Sequence, residues 1–150
     1  MASPADVSWI AEHIALYKSD PAKAHMWDSS PLGGPGILPT LLLTTTGRKS
    51  GEPRALPLIY GELGNSHVII ASKGGAPTHP LWFDNLQANP ECHIQVGEKS
   101  INVRARVIPD GAEREKIWNQ MVAVYAPYAD YKKATDRQIP VVVLDPVENA

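Results

Sequence analysis

The feature that most restricts the fold is a series of short runs rich in Leu, Val, Ile and Thr, each ended by glycine, proline or charged residues. Runs of this length and composition are typical of β-strands. We predict strands at residues 41–46, 54–60, 68–72, 92–96, 101–108 and 139–144. Residues 61–65 and 97–99 contain the glycines that tight turns between antiparallel neighbours require. A meander or closed barrel of antiparallel strands is therefore expected.

Helical spacing of apolar residues appears at both ends of this strand-rich region. We predict helices at residues 7–17, 80–88 and 112–124. Residues 28–39 contain three glycines and three prolines, a composition that predicts a loop. Strands with inserted helices define an α+β fold, and 150 residues suit one domain. Residues 1–40 would add a helix and a loop to that domain, and residues 41–150 would form the barrel.

The overall charge and the cysteine content limit the binding partners and the cellular compartment that we expect. The 14 basic residues nearly balance the 16 acidic ones, which disfavours nucleic acid and anionic membranes as partners. The single cysteine, Cys92, and the absence of a secretion signal suggest a reducing cytoplasm. Apolar stretches are too short to span a bilayer, which leaves only peripheral membrane contact. The five histidines form no i, i+4 pair, so we expect no metal.

A basic loop follows the first predicted strand, where residues 44–51 combine three threonines, Arg48, Lys49, Ser50 and two glycines. Glycines let backbone N–H groups converge, Arg48 offers a planar fork and Lys49 a point charge, which together suit an anion. Arg54 could close the same site. The loop matches neither the Walker nor the dinucleotide-binding glycine pattern. From composition alone, a solvated hairpin turn is an equal alternative.

Two further segments could carry chemistry. Residues 70–82 lead from a strand through small residues and Lys73 to Trp82, an arrangement that suits a large flat ligand, although a turn with a core tryptophan is the more frequent case. Tyr125, Tyr128 and Tyr131 follow the last predicted helix, and their hydroxyls could orient an acceptor or return a proton. Aromatic packing of a helix end is the alternative that the residues alone favour. No G-x-S-x-G motif points to hydrolysis.

The chain resembles the actinobacterial deazaflavin-dependent nitroreductase and quinone-reductase family, which binds the coenzyme F420 on a split β-barrel. Four segments carry the resemblance: LLTTTGRKSGEPR at 42–54, ASKGGAPTHPLWFDNLQANP at 71–90, YAPYADY at 125–131 and TDRQIPVVVLDP at 135–146. Together they cover most of the chain after residue 41. The resemblance implies a split antiparallel β-barrel with an N-terminal helix and two inserted helices.

The resemblance also implies roles for individual residues. Arg48, Lys49, Ser50 and Arg54 would contact the phosphate and carboxylate-bearing tail of F420. Residues 55–59, 70–73 and 81–85 would frame the deazaflavin rings, and the residues chosen individually are Ala55, Pro57, Leu58, Ile70, Ala71, Ser72, Lys73, Leu81, Trp82, Phe83 and Asn85. Tyr125, Tyr128 and Tyr131 would line the substrate pocket, and the candidate catalytic hydroxyls are Ser72, Tyr125 and Tyr128.

The expected reaction is hydride transfer from reduced F420 to an electron-poor small-molecule acceptor, such as a quinone, enone, unsaturated lactone or nitro compound. Two alternatives remain open at this point. One is an FMN-dependent enzyme of the same barrel shape, and the other is a non-catalytic carrier of a lipid, haem or quinone. We expect a monomer or a homodimer.

Overall fold

The structure, a computed structural model, describes residues 4–28, 36–72, 79–135 and 138–147, with side chains from residue 12 onward. The helices in these ranges are α1 (Pro4–Ser19), α2 (Pro21–His25), α3 (Leu81–Ala88), α4 (Ala112–Val124) and α5 (Pro127–Ala134). The strands are β1 (Met26–Asp28), β2 (Ile37–Thr46), β3 (Pro53–Ile59), β4 (Gly61–Leu63), β5 (Ser66–Ile70), β6 (Glu91–Val96), β7 (Lys99–Val107) and β8 (Val141–Pro146). None of the described helices is long and apolar enough to cross a membrane.

All strand pairs among the described residues are antiparallel. The order is β1-β2-β6-β7-β8-β5-β4, and β3 pairs with β2. The longest pairing joins β2 to β3, from Thr40 opposite Ile59 to Thr46 opposite Pro53. In the described part of the chain, β4 does not pair with the strands at the other end of this order, so the sheet is curled but open. The expected closed barrel is therefore wrong, whereas the α+β split barrel is confirmed.

At β5 and β8 both faces of the curled sheet are buried, in separate clusters. Successive strand residues point to opposite faces. On β5, Ile69 belongs to the inner core cluster with Trp82 and Phe83 of α3. Its neighbours Val68 and Ile70 belong to an outer cluster that α4 and α5 cover. Residues on both faces of β5 and β8 are apolar for this reason, as expected when a strand has no solvent-facing side.

The N-terminal helices cover a different part of the outer sheet surface. Tyr17 and Ala24 pack against Leu42, whose side chain leaves β2 on the face opposite Leu41 and Leu43. The Tyr17 hydroxyl donates to the backbone carbonyl of Thr40 at 2.5 Å. This bond ties α1 directly to β2, so the described N-terminal helices pack on the barrel itself.

Two segments differ from the sequence expectation because strand pairing prevails over local composition. Residues 28–39 do not form one loop: Asp28 ends β1, and β2 begins at Ile37, opposite it. Residues 61–65 are not all turn, because Gly61–Leu63 pairs with β5 and only residues 64 and 65 connect the two strands. Gly64 has a φ of +60°, which glycine adopts without steric cost.

Two short helices, α2 and α5, were not predicted. Both begin at a proline, Pro21 and Pro127. A proline fits the first turn of a helix, where its missing N–H has no intrahelical partner in any case. In α2 the side chain of Asp20 also accepts a hydrogen bond from the N–H of Lys23, which caps the first turn.

Candidate functional site

The basic loop between β2 and β3 closes on itself through backbone hydrogen bonds. The N–H of Gly47 donates to the carbonyl of Glu52, and the N–H of Gly51 donates to the carbonyl of Gly47, each at 2.8 Å. A Cβ at position 47 would lie 2.6 Å from Ser50 Oγ, and Gly51 has a φ of +71°. Both glycines are therefore needed for this loop conformation.

Asn85 of α3 fastens the loop to the barrel. Its Oδ1 accepts hydrogen bonds from the backbone N–H and from the guanidinium of Arg48, both at 3.2 Å. Its Nδ2 donates to Thr45 Oγ1 at 3.1 Å. Asn85 and Thr45 are both buried, so these polar groups depend on each other for hydrogen bonding. The position of Arg48 is therefore set by a helix that lies 37 residues further along the chain.

A groove of about 770 Å³ lies between this loop, β3 and the start of α3. Its lining consists of Gly47, Arg48, Lys49, Ser50, Arg54, Ala55, Leu56, Pro80, Leu81, Trp82 and Asn85. Among the described residues, no carboxylate lies within ion-pair distance of Arg48, Lys49 or Arg54. Three exposed cations on one groove therefore have their charges available for an anionic ligand.

The side of the groove that Trp82 forms is continuous with the inner core cluster. Trp82 is buried and meets Phe83 edge to face, with ring centroids 6.4 Å apart. Ala71, at the end of the β5 segment, lies in the same cluster. Leu81 is the exception, since 65% of its surface is exposed at the groove. The groove thus runs from a cationic end at the loop to an apolar end at α3.

The tyrosines lie elsewhere, on the outer face of the sheet. Tyr125 and Tyr128 meet edge to face at 4.9 Å, and the hydroxyls of Tyr125 and Tyr131 are 3.1 Å apart. We call these three residues the tyrosine cluster. Burial raises the pKa of both Tyr125 and Tyr128 above the ordinary tyrosine value, so their hydroxyls keep their protons at neutral pH. The cluster packs with Trp118 and Ile70.

The end of β5 lies between the groove and the tyrosine cluster. Ile70 belongs to the outer cluster with the tyrosines, and Ala71 belongs to the inner cluster with Trp82. Ser72 is buried and follows Ile70 by two residues, the spacing that places side chains on one face of an extended chain. Lys73, predicted to contact the coenzyme, lies outside the described residues.

Fewer than half of the predicted site residues meet on the groove. Those on it are Arg48, Lys49, Ser50, Arg54, Ala55, Leu81, Trp82 and Asn85. Those that the structure places in the buried packing instead are Pro57, Leu58, Ile70, Ala71, Ser72, Phe83, Tyr125 and Tyr128, with Tyr131 packed against the outer cluster. Their roles toward a ligand stay predictions.

The groove also contains three residues that lie in the predicted segments but were given no individual role. Leu56 is one of them and falls within residues 55–59, which the resemblance places at the deazaflavin rings. Gly47 and Pro80 line it as well. They contribute no charge or hydrogen-bonding side chain, and only the tertiary arrangement brings them to the ligand side.

The fold and this groove define a class: a split β-barrel protein with a groove that combines exposed cations and apolar side chains. The family model of the F420H(2)-dependent quinone reductases matches residues 21–146. The chain therefore belongs to the F420H(2)-dependent quinone reductase family, a family of oxidoreductases whose reductant is the reduced coenzyme F420.

Relatives agree with this assignment. An F420H(2)-dependent quinone reductase of Mycobacterium tuberculosis is 45% identical over 114 residues, which cover 73% of this chain and 75% of that protein. The solved structure of an F420-H2 dependent reductase is 44% identical, covers 71% of this chain and 93% of its own, and superposes with a TM-score of 0.65. A second solved structure, described as a domain-swapped dimer, is 36% identical and covers 95% of this chain and 100% of its own, with a TM-score of 0.69.

Proposed function

We propose that the groove holds the anionic tail of F420 on Arg48, Lys49 and Arg54, with the deazaflavin rings toward Trp82 and the end of β5. The observation that carries this proposal is the set of three cations without a carboxylate partner among the described residues. Surface cations of that kind bind phosphate and carboxylate groups through charge-assisted hydrogen bonds. The apolar end of the groove suits the ring system.

When bound, reduced F420 supplies the hydride, and the chain supplies position and exclusion of water. Asn85 orients Arg48, which fixes the tail along the loop. Trp82, Phe83 and Ala71 provide a buried wall that excludes water from the ring end of the groove. Ser72 and the tyrosine cluster would offer hydroxyls to the acceptor, stabilising the developing oxyanion and returning a proton.

The acceptor would be a quinone, with enones, unsaturated lactones and nitro compounds as related electron-poor substrates. The support lies in the positions of Ser72 and Ile70, which share a face at the end of β5, and in the contact of Ile70 with Tyr125 and Tyr128. An acceptor that lies beyond the end of β5 would meet hydroxyls on one side and the coenzyme rings on the other. The raised pKa values of the tyrosines keep these hydroxyls protonated and able to donate.

The test of the groove is a charge reversal with a matched control. Arg48→Glu with Lys49→Glu should weaken F420 binding by about 3 to 6 kcal/mol, since two hydrogen bonds to charged groups are lost. Lys99→Glu with Lys116→Glu makes the same change in net charge. The pairing of β7 with β6 places Lys99 level with the middle of β2, away from the basic loop, and Lys116 lies on α4. Neither residue lines the groove, so the control should bind normally.

Binding can be followed by quenching of tryptophan fluorescence, because Trp82 lines the groove. Equal loss of affinity in the two double variants would show that overall charge, rather than the groove, binds the tail. Tight binding of FMN without binding of F420 would favour the FMN-dependent alternative. Absence of reduced-F420 oxidation with menadione and a panel of other quinones, under anaerobic conditions, would favour a carrier.

We further propose that the chain forms a homodimer and acts in the cytoplasm, with at most peripheral contact to the membrane. Support for the dimer is the relative that covers 95% of this chain and is described as a domain-swapped dimer. Light scattering after gel filtration measures the mass directly, and a mass near 16.3 kDa would contradict the dimer. Fractionation of cells that express the protein tests its location.

A further inference from the structure

A second cavity lies on the outer side of the molecule, away from the coenzyme groove. Its volume is about 460 Å³, and it sits between the loop before α4, α4 itself and α5. The lining residues are Asp110, Gly111, Arg114, Glu115, Trp118, Asn119 and Lys132. None of them lines the groove described above, and the proposed reaction uses none of them.

Arg114 is the unusual member of this set. Only 8% of its surface is exposed, and one of its guanidinium nitrogens donates to the backbone carbonyl of Ile139. Its guanidinium carbon lies 5.7 Å from the centroid of the Trp118 ring. Among the described residues, no carboxylate lies within ion-pair distance of it. Buried arginines are as a rule paired with an anion, so the environment of this guanidinium favours an anionic partner.

A second cation reaches the same indole from the neighbouring helix. The Nζ of Lys132, on α5, lies 5.6 Å from the centroid of the Trp118 ring. Lys132 likewise has no carboxylate within ion-pair distance in the described part of the chain. Two cations that approach one indole without a carboxylate at ion-pair distance repel each other. The pair therefore favours an oxyanion, which can accept hydrogen bonds from both side chains.

The other charged lining residues limit which oxyanion fits. Asp110 and Glu115 are exposed members of the lining, and their carboxylates repel a dianion more strongly than a monoanion. The cavity is larger than a simple inorganic ion needs, and Trp118 offers apolar surface. A monocarboxylate with an apolar body matches both properties.

We propose that this cavity binds a small organic oxyanion, a carboxylate held by Arg114 and Lys132 with its apolar body against Trp118. The site has a structural link to the rest of the molecule. Trp118 packs against Tyr128, with ring centroids 6.3 Å apart. A ligand in this cavity therefore binds against Trp118, which in turn contacts the tyrosine cluster. It does not contact the coenzyme groove.

The experiment is calorimetric titration of the coenzyme-free protein with benzoate and, separately, with inorganic phosphate. Benzoate should bind, and Lys132→Gln should weaken it about tenfold through loss of one charged contact. Lys133→Gln is the matched control, since Lys133 is the next residue on α5, is exposed and does not line the cavity. Arg114→Gln should abolish binding, and the exposed Lys132 keeps the test valid if that variant fails to fold.

Anion binding at the coenzyme groove is the competing explanation, and the Arg48→Glu, Lys49→Glu variant separates the two sites. It should retain benzoate binding. Phosphate binding that Lys132→Gln weakens, without any benzoate binding, would overturn the assignment of an organic carboxylate to this cavity. The proposal is overturned if neither probe binds up to about 10 mM, if Lys133→Gln weakens binding as much as Lys132→Gln, or if only the groove variant loses binding. Because no coenzyme is present, these outcomes do not depend on the proposed reaction.

Discussion

Asn85 makes three hydrogen bonds from a buried position, so its truncation should affect both folding and coenzyme binding. Its amide accepts twice from Arg48 and donates once to Thr45. At about 1 kcal/mol for each bond, Asn85→Ala should lower the free energy of unfolding by about 3 kcal/mol. For a chain of this length, that corresponds to a melting temperature lower by about 6 to 12 °C. Arg48, no longer oriented, should bind F420 about three to ten times more weakly.

Asn85→Asp separates the two effects. A carboxylate can still accept from Arg48 and from the hydroxyl of Thr45, so the variant should lose less than half as much stability as Asn85→Ala. It would also engage the Arg48 guanidinium in an ion pair, so F420 affinity should fall at least as far as in Asn85→Ala. Gln87→Ala, exposed on the same helix, is the control.

Thermal unfolding and fluorescence titration with F420 measure the two quantities on the same samples. The reasoning fails if Asn85→Ala melts at a lower temperature yet binds F420 as tightly as the wild type. That result would mean that Asn85 only supports the fold and that Arg48 does not depend on it. A loss of stability in Gln87→Ala equal to that in Asn85→Ala would refute the hydrogen-bond account as well.

Three further predictions concern other parts of the molecule. Gly61→Ala should lower the free energy of unfolding by about 1 to 3 kcal/mol, because the new Cβ would overlap the buried sulfur of Met121; an unchanged denaturation midpoint would contradict this. The Ser66 hydroxyl, 2.6 Å from Asp145, holds the pKa of that carboxyl below its usual value. The contribution of Asp145 to stability, at most about 1 kcal/mol at this exposed site, is therefore present above pH 4 or so and lost as the pH falls. Denaturation of wild type and Asp145→Asn should differ at pH 7 and converge near pH 2, whereas a constant difference would exclude the linkage. Tyr128→Phe should lower kcat with menadione about a hundredfold if this hydroxyl stabilises the oxyanion, with F420 affinity unchanged; an unaltered kcat would leave it a packing residue.

The local sequence pattern was sufficient to predict much of the fold and part of the candidate site. The basic loop could be selected as a candidate anion site because hydroxyls, glycines and cations lie within a few residues of one another. Six of the eight described strands could be placed to within a few residues because apolar runs and glycine turns are local signals. Helices α2 and α5 were missed because a proline both ends one helix and begins the next, and the pattern alone does not separate these two uses.

Tertiary structure decided which of these segments meet. The pairing of β2 with β3, and the packing of α3, bring Asn85 to the loop, although 37 residues separate it from Arg48. The curl of the sheet places Ala71 with Trp82 on one face and Ile70 with the tyrosines on the other, so the coenzyme groove and the tyrosine cluster lie on opposite sides of β5. The amino-acid pattern specifies which groups can bind anions or donate protons, because that depends on side-chain chemistry. Which face of the barrel they reach depends on strand register, and pairing between distant segments sets that register.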